Sequence, residues 1–134
     1  MASAWLIKRF ISPDARFSFA SPDATLRTRH VPFDMPDVEL GHHGTHCTFE
    51  TLMHRFGIAD AAVMTLSHVV HDLDLKETRY AMPECAALGR IVDGLRAAYA
   101  DDHELLQRGM VVIDALYRSF MSDRSRRNGG RKKR

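Results

Sequence analysis

Only two cysteines, Cys47 and Cys85, occur in 134 residues. That is too few for a disulfide framework to replace a hydrophobic core. No apolar run approaches the roughly 20 residues that a membrane-crossing helix requires. The apolar stretch near the N-terminus is broken by Lys8 and Arg9, so a secretory h-region is not expected either. A cytoplasmic chain with two reduced thiols is the resulting expectation. The sequence also lacks a Gly-rich phosphate loop and a serine nucleophile elbow, the marks of two common enzyme designs. What is present is ordinary: 45% hydrophobic and 27% charged residues suit one globular domain.

Positive charge is scarce in the body of the chain. Residues 1–123 hold twelve Lys and Arg against all seventeen Asp and Glu, whereas residues 124–134 hold seven basic residues and no acidic one. An acidic body offers no electrostatic footprint for nucleic acid. The terminal segment contains Gly129 and Gly130 and no apolar side chain. It buries nothing, and is expected to be a disordered basic tail beyond a domain spanning 1–123. It reads either as a weak nucleic-acid contact or as a solubilising terminus.

Hydrophobic periodicity divides the body in two. Trp5 to Ile11 predicts a short helix stopped at Ser12-Pro13. The alternation at Phe17 and Phe19, closed by the turn Ser21-Pro22-Asp23, predicts a strand, and Arg29 to Phe33 a second one at an edge. From Thr48 the period becomes helical. Thr48, Asp60 and Asp101 are placed to cap helices, and Pro83 to open one. The predicted fold is mainly α: a helical bundle of about four to five helices with a small N-terminal α/β portion.

Polar residues occupy positions that the helical period assigns to the core. Glu84 heads the stripe Leu88, Ile91, Leu95, and Asp102 heads the stripe that runs to Phe120. His71 and Asp74 lie three apart and share a helix face. Short connections make neighbouring helices antiparallel, so His71, Asp74 and Glu84 are expected to meet, while Asp102 joins only through an oblique crossing. Histidine with carboxylates in a helical core is a ligand set for Zn, Mn or Fe. First-turn acids that merely favour the helix dipole are the competing reading of Glu84 and Asp102.

A second cluster is Glu39-Leu-Gly-His42-His43-Gly-Thr-His46-Cys47. Three histidines, a thiol and a carboxylate are packed together without the paired spacing of a zinc finger. Gly41 and Gly44 give the loop freedom to wrap a ligand; exposed polar histidines are the alternative. His103 and Asp114 are further candidates, Asp114 because a carboxylate between Met110 and Tyr117 needs a partner.

Several motifs in order resemble the chromate-resistance protein ChrB C-terminal domain family. They are Trp5-Leu-Ile-Lys-Arg-Phe-Ile-Ser-Pro-Asp-Ala-Arg-Phe-Ser-Phe19, Pro32-Phe-Asp, the run from Glu39 to Phe49, and His71-Asp-Leu-Asp-Leu75. Pro83-Glu84, Asp101-Asp102-His103, Gly109 and Asp114-Ala-Leu-Tyr117 complete the set. His46 stands where the family often has a basic residue before the cysteine. The resemblance implies a role in chromate resistance or its sensing. His71, Asp74, Glu84, Asp102, His42 and Cys47 all fall within its motifs, which favours a metal or oxyanion site over simple capping.

Three functions follow as expectations. The first is an accessory or sensor domain holding a divalent metal ion or an oxyanion. The second is a metal-dependent redox enzyme acting on superoxide or chromate at the same residues. The third is a nucleic-acid-associated regulator that uses the basic tail. Chromate is a dianion, so its capture requires cations, with Lys8, Arg9, Arg27 and Arg29 as candidates.

Overall fold

In the computed structural model the backbone is described except at residues 22, 26, 27 and 132–134, and side chains 127–131 are likewise outside the described residues. Pro22 of the expected turn and the candidate cation Arg27 therefore lie outside them. Among the described residues there are five helices: α1 (Ala2–Leu6), α2 (Thr48–Arg55), α3 (Ala61–Leu75), α4 (Glu84–Ala98) and α5 (Asp102–Arg131). A π-helical turn, Ile7–Ile11, continues α1. The fold is mainly helical, as the periodicity indicates.

The N-terminal α/β portion is not found. Neither Phe17–Phe19 nor Arg29–Phe33 forms a strand, and pairing among the described residues is limited to the isolated bridges Phe33–Leu40 and His43–His46. Alternation needs a partner ladder to become a strand. Here Phe17 is half-buried against loop, whereas Phe19 stays exposed, so the alternation does not mark a buried face. Phe17 packs edge-to-face on Phe33 at 5.8 Å, and Phe19 meets His103 at 5.0 Å.

Helix α3 is central, packed against α2, α4 and α5, while α1 lies across α2 and α5. Eight of its fifteen residues are buried. A helix enclosed this far has no wide polar face, so its inward polar residues must find partners within the protein. Two such residues, His71 and Asp72, sit near its C-terminal end. Asp72 accepts the backbone N–H groups of Tyr80 (3.1 Å) and Ala81 (2.9 Å), fastening the α3–α4 connection.

The caps are partly as expected. Asp60 accepts from Ala62 and Val63 N–H, both at 2.9 Å, and Asp101 accepts from Glu104 N–H at 2.8 Å. At α2, however, the N-cap is Cys47 rather than Thr48, and the Glu50 carboxylate reaches back to the Cys47 N–H. The expected boundary at residue 124 is not marked by a helix break, because α5 continues to Arg131. Extending a formed helix needs no new nucleus, so polar residues can follow an anchored one. The last buried side chain described on it is Phe120, and residues 121–126 are all exposed.

Candidate metal centre

The loop before α2 delivers Cys47 to the core. His43 and His46 exchange backbone hydrogen bonds of 3.1 and 2.9 Å around a tight turn, in which Gly44 takes a left-handed φ of 58°. A Cβ on Gly41 would stand 2.7 Å from the Met35 carbonyl oxygen, so only glycine fits that approach. Both glycines thus fix the loop rather than loosen it around a ligand. The chain then enters α2 with Cys47 fully buried and Glu50 one turn ahead.

Glu50 does two things with one oxygen. Its Oε2 accepts the Cys47 N–H at 3.0 Å and lies 2.8 Å from His71 Nδ1. On the other side of the ring, His71 Nε2 lies 3.2 Å from Glu77 Oε2. A carboxylate cannot donate, so an imidazole held between two of them donates from both nitrogens and carries a positive charge. Burial alone would lower the His71 value, but the hydrogen bonds to Glu50 and Glu77 outweigh it and hold the imidazole above its usual range. Burial likewise pulls Glu50 upward, yet its bonds to His71 and the Cys47 N–H leave it below the usual range. The edge of the His71 ring faces Tyr80 at 5.1 Å, and Tyr80 stacks on a half-buried His68 at 4.0 Å.

Ligating atoms of Cys47, Glu50 and His71 all lie within 4.8 Å of one another. Cys47 and His71 are wholly buried, and the Glu50 side chain is 13% exposed. Burial pushes the Cys47 thiol up to about 12, with the Glu50 and Asp74 carboxylates adding to it. The thiol is therefore protonated at neutral pH, and is a weak nucleophile. A sulfur, a nitrogen and an oxygen donor within reach of a common point fit zinc or iron(II) better than magnesium or calcium. Glu77 would then act as the outer carboxylate that orients a ligating imidazole.

The remaining sequence candidates are distributed differently. Asp74 lies in the last turn of α3; loss of water around its carboxyl and the Asp34 carboxylate raise it, while the Met1 amine, His42 and Arg96 pull it down. Glu84 opens α4 with Oε2 buried and no hydrogen-bond partner among the described residues. Asp102 is exposed in the first turn of α5. Neither these three nor His42 belongs to the group that can ligate together. His42 is exposed, with Nδ1 3.3 Å from Thr48 Oγ1. His43 donates through Nε2 to the Glu39 carbonyl at 2.6 Å, and the Glu39 carboxylate pairs with exposed Arg55 at 3.2 Å. His46 is exposed, and His103 packs against Phe19.

Asp114 has the partners its position demanded. It accepts from Trp5 Nε1–H (3.0 Å), Arg9 (2.9 Å) and Arg118 (2.6 Å), tying α1 and the π turn to α5. Its role is structural clamping, away from the centre.

Glu50 and Glu77 are the acids of the candidate centre that the helical stripes do not single out. For Glu50 a signal exists: Cys47-Thr-Phe-Glu50 has the spacing of a capping box, which turns its acid back toward the N-cap. Glu77 lies beyond α3, where Lys76 adopts a left-handed φ of 53° and folds the chain back. No periodicity reports that.

The family model for the ChrB C-terminal domain matches residues 1–120. Protein ChrB of Cupriavidus metallidurans is 32% identical over 127 residues, covering 94% of this chain and 39% of that protein. The chain thus spans about two fifths of that relative's length. No solved structure gives a match. The family match ends at Phe120, the last buried side chain among those described, so it covers every residue of the buried centre; this chain belongs to the ChrB C-terminal domain family.

Proposed function

We propose that this chain is a chromate-resistance accessory or sensor domain that works through a divalent transition-metal ion held by Cys47, Glu50 and His71. The observation that carries the reading is the convergence of their three ligating atoms within 4.8 Å in the core. Kinship with a protein named ChrB supports the link to chromate. Three protein donors are one fewer than a closed structural zinc site uses, so a position stays open for an outside ligand, the feature that favours the alternative of a metal-dependent redox enzyme at the same residues.

The chain's own groups define what such binding requires. His71 gives up the proton it shares with Glu50 while Nε2–H stays on Glu77, and Cys47 gives up its thiol proton. Glu50 would contribute the carboxylate oxygen that here accepts the Cys47 N–H. A bound zinc or iron(II) supplies a Lewis-acidic centre, redox-active in the case of iron.

Direct oxyanion capture at the same place has less support. Arg9 is engaged by Asp114, and Arg29 lines a separate cleft. A metal-independent thiol enzyme is also disfavoured, because the thiol is held protonated.

Elemental analysis of untagged protein and thermal melts of metal-free protein with Zn, Mn(II) and Fe(II) test the reading. Bound metal, or a melting point that rises with ion concentration and fails to rise in Cys47→Ser and His71→Gln, is expected. Absence of metal together with no shift for any ion overturns it.

A further inference from the structure

A second place in the molecule is built to hold something, and nothing in the metal reading uses it. Segment 12–46 carries neither helix nor strand beyond isolated bridges among its described residues. Irregular stretches longer than about 12–15 residues are uncommon in compact domains unless they serve a function. This one folds over the π turn and the outer side of α2, enclosing a cleft of about 660 Å³. Protein interiors rarely leave such space, and its size falls within the range of small-molecule sites.

The walls are apolar, formed by Ile7, Ile11, Phe33 and Leu52 among others. Ile7 and Ile11 are the two ends of the π turn, closed by the Ser12 N–H donating to the Ile7 carbonyl at 2.8 Å. Such wide turns occur frequently at functional sites. At the exposed rim stand Arg16 and Arg29, and neither makes an ion pair among the described residues. His30 adds a further basic group, and Asp34 is the single acid of the lining.

An apolar interior beneath two unpaired guanidinium groups selects a ligand of matching polarity. We infer that the cleft binds an amphipathic carboxylate, with its hydrocarbon body against Ile7, Ile11 and Phe33 and its headgroup between Arg16 and Arg29. The planar guanidinium fork suits a carboxylate, and the apolar walls reject small inorganic anions.

Calorimetry on the full chain with decanoate, decanol and acetate provides the test. Decanoate is expected to bind saturably at one site, decanol more weakly, and acetate not at all. The double variant Arg16→Gln/Arg29→Gln should weaken decanoate about tenfold or more, as loss of charge-assisted bonds implies, and leave decanol unchanged. Ala15→Trp, at the cleft wall, should block both; its fold is checked by circular dichroism, and the arginine variant decides if it does not fold. Cys47→Ser should bind decanoate like the parent, which separates this site from the metal centre. Absence of saturable decanoate binding, equal affinity for decanol, or an unaffected arginine variant overturns the inference.

Discussion

Glu50 illustrates how one side chain can serve the fold and a site at once. Its oxygen caps α2 at Cys47 and neutralises a buried imidazolium at His71. In the metal reading, Cys47→Ser, Glu50→Gln and His71→Gln each lower zinc affinity at least about tenfold, and Glu77→Ala lowers it about 10- to 100-fold without removing a ligand. Glu84→Gln leaves it unchanged. Because the thiol and the imidazolium are both protonated at pH 7, binding releases about two protons. Calorimetry in buffers of different ionisation enthalpy reads that number. Asp114 gives an independent check on the clamp. Burial pushes its carboxyl up, but the bonds from Arg118, Trp5 and Arg9 outweigh this and hold it low. Its stabilisation is therefore present above the ordinary aspartate value of about 3.9 and disappears as pH falls through the lowered folded value. Asp114→Asn should cost about 1–3 kcal/mol at pH 7 by urea titration and flatten the acid limb of the stability curve. Cys47 and His71 were legible as unusual polar residues, one in a histidine-rich loop and one on an apolar stripe. Glu50 was legible only as a capping-box acid, a spacing that turns it toward the N-cap but says nothing of His71.

At the scale of elements, α3 decides what the others can do. Its N-cap Asp60 accepts two backbone N–H groups and also the Tyr117 hydroxyl at 3.4 Å, joining the start of α3 to α5. Asp60→Ala should destabilise by about 0.5–2 kcal/mol, measured as a lower denaturation midpoint with unchanged slope. The apolar faces of α3 and α5 could be read from the 3.6-residue period because packing satisfies them, whereas on α4 the stripe is buried at Leu88 and exposed at Ile91. The acid on the His71 side could not. Spacing put Asp74 with His71, but Asp74 falls where α3 leaves the core, and the buried acid is Asp72, committed to the Tyr80 and Ala81 N–H groups. The strands failed for a related reason: alternation alone does not mark a buried face, and Phe17 packs on loop while Phe19 stays exposed.

Across the whole molecule the packed body, among the described residues, ends at Phe120 and the family match ends with it. Deleting 124–134 should leave stability within about 0.5 kcal/mol of the parent, since residues 124–126 contribute no buried contact. A melting point that fell by more would show packing along the end of α5. The clamp of Trp5 on Asp114 has a further consequence, which lies in time rather than space. These residues are 109 apart in the chain. At the roughly 5–20 residues per second of synthesis, Trp5 is incorporated about 5–20 s before Asp114 exists. Through that interval the indole and its neighbour Leu6, both buried in the finished protein, have no α5 to cover them. Completion of this domain therefore waits on the synthesis of α5, whatever the intrinsic speed of its helices.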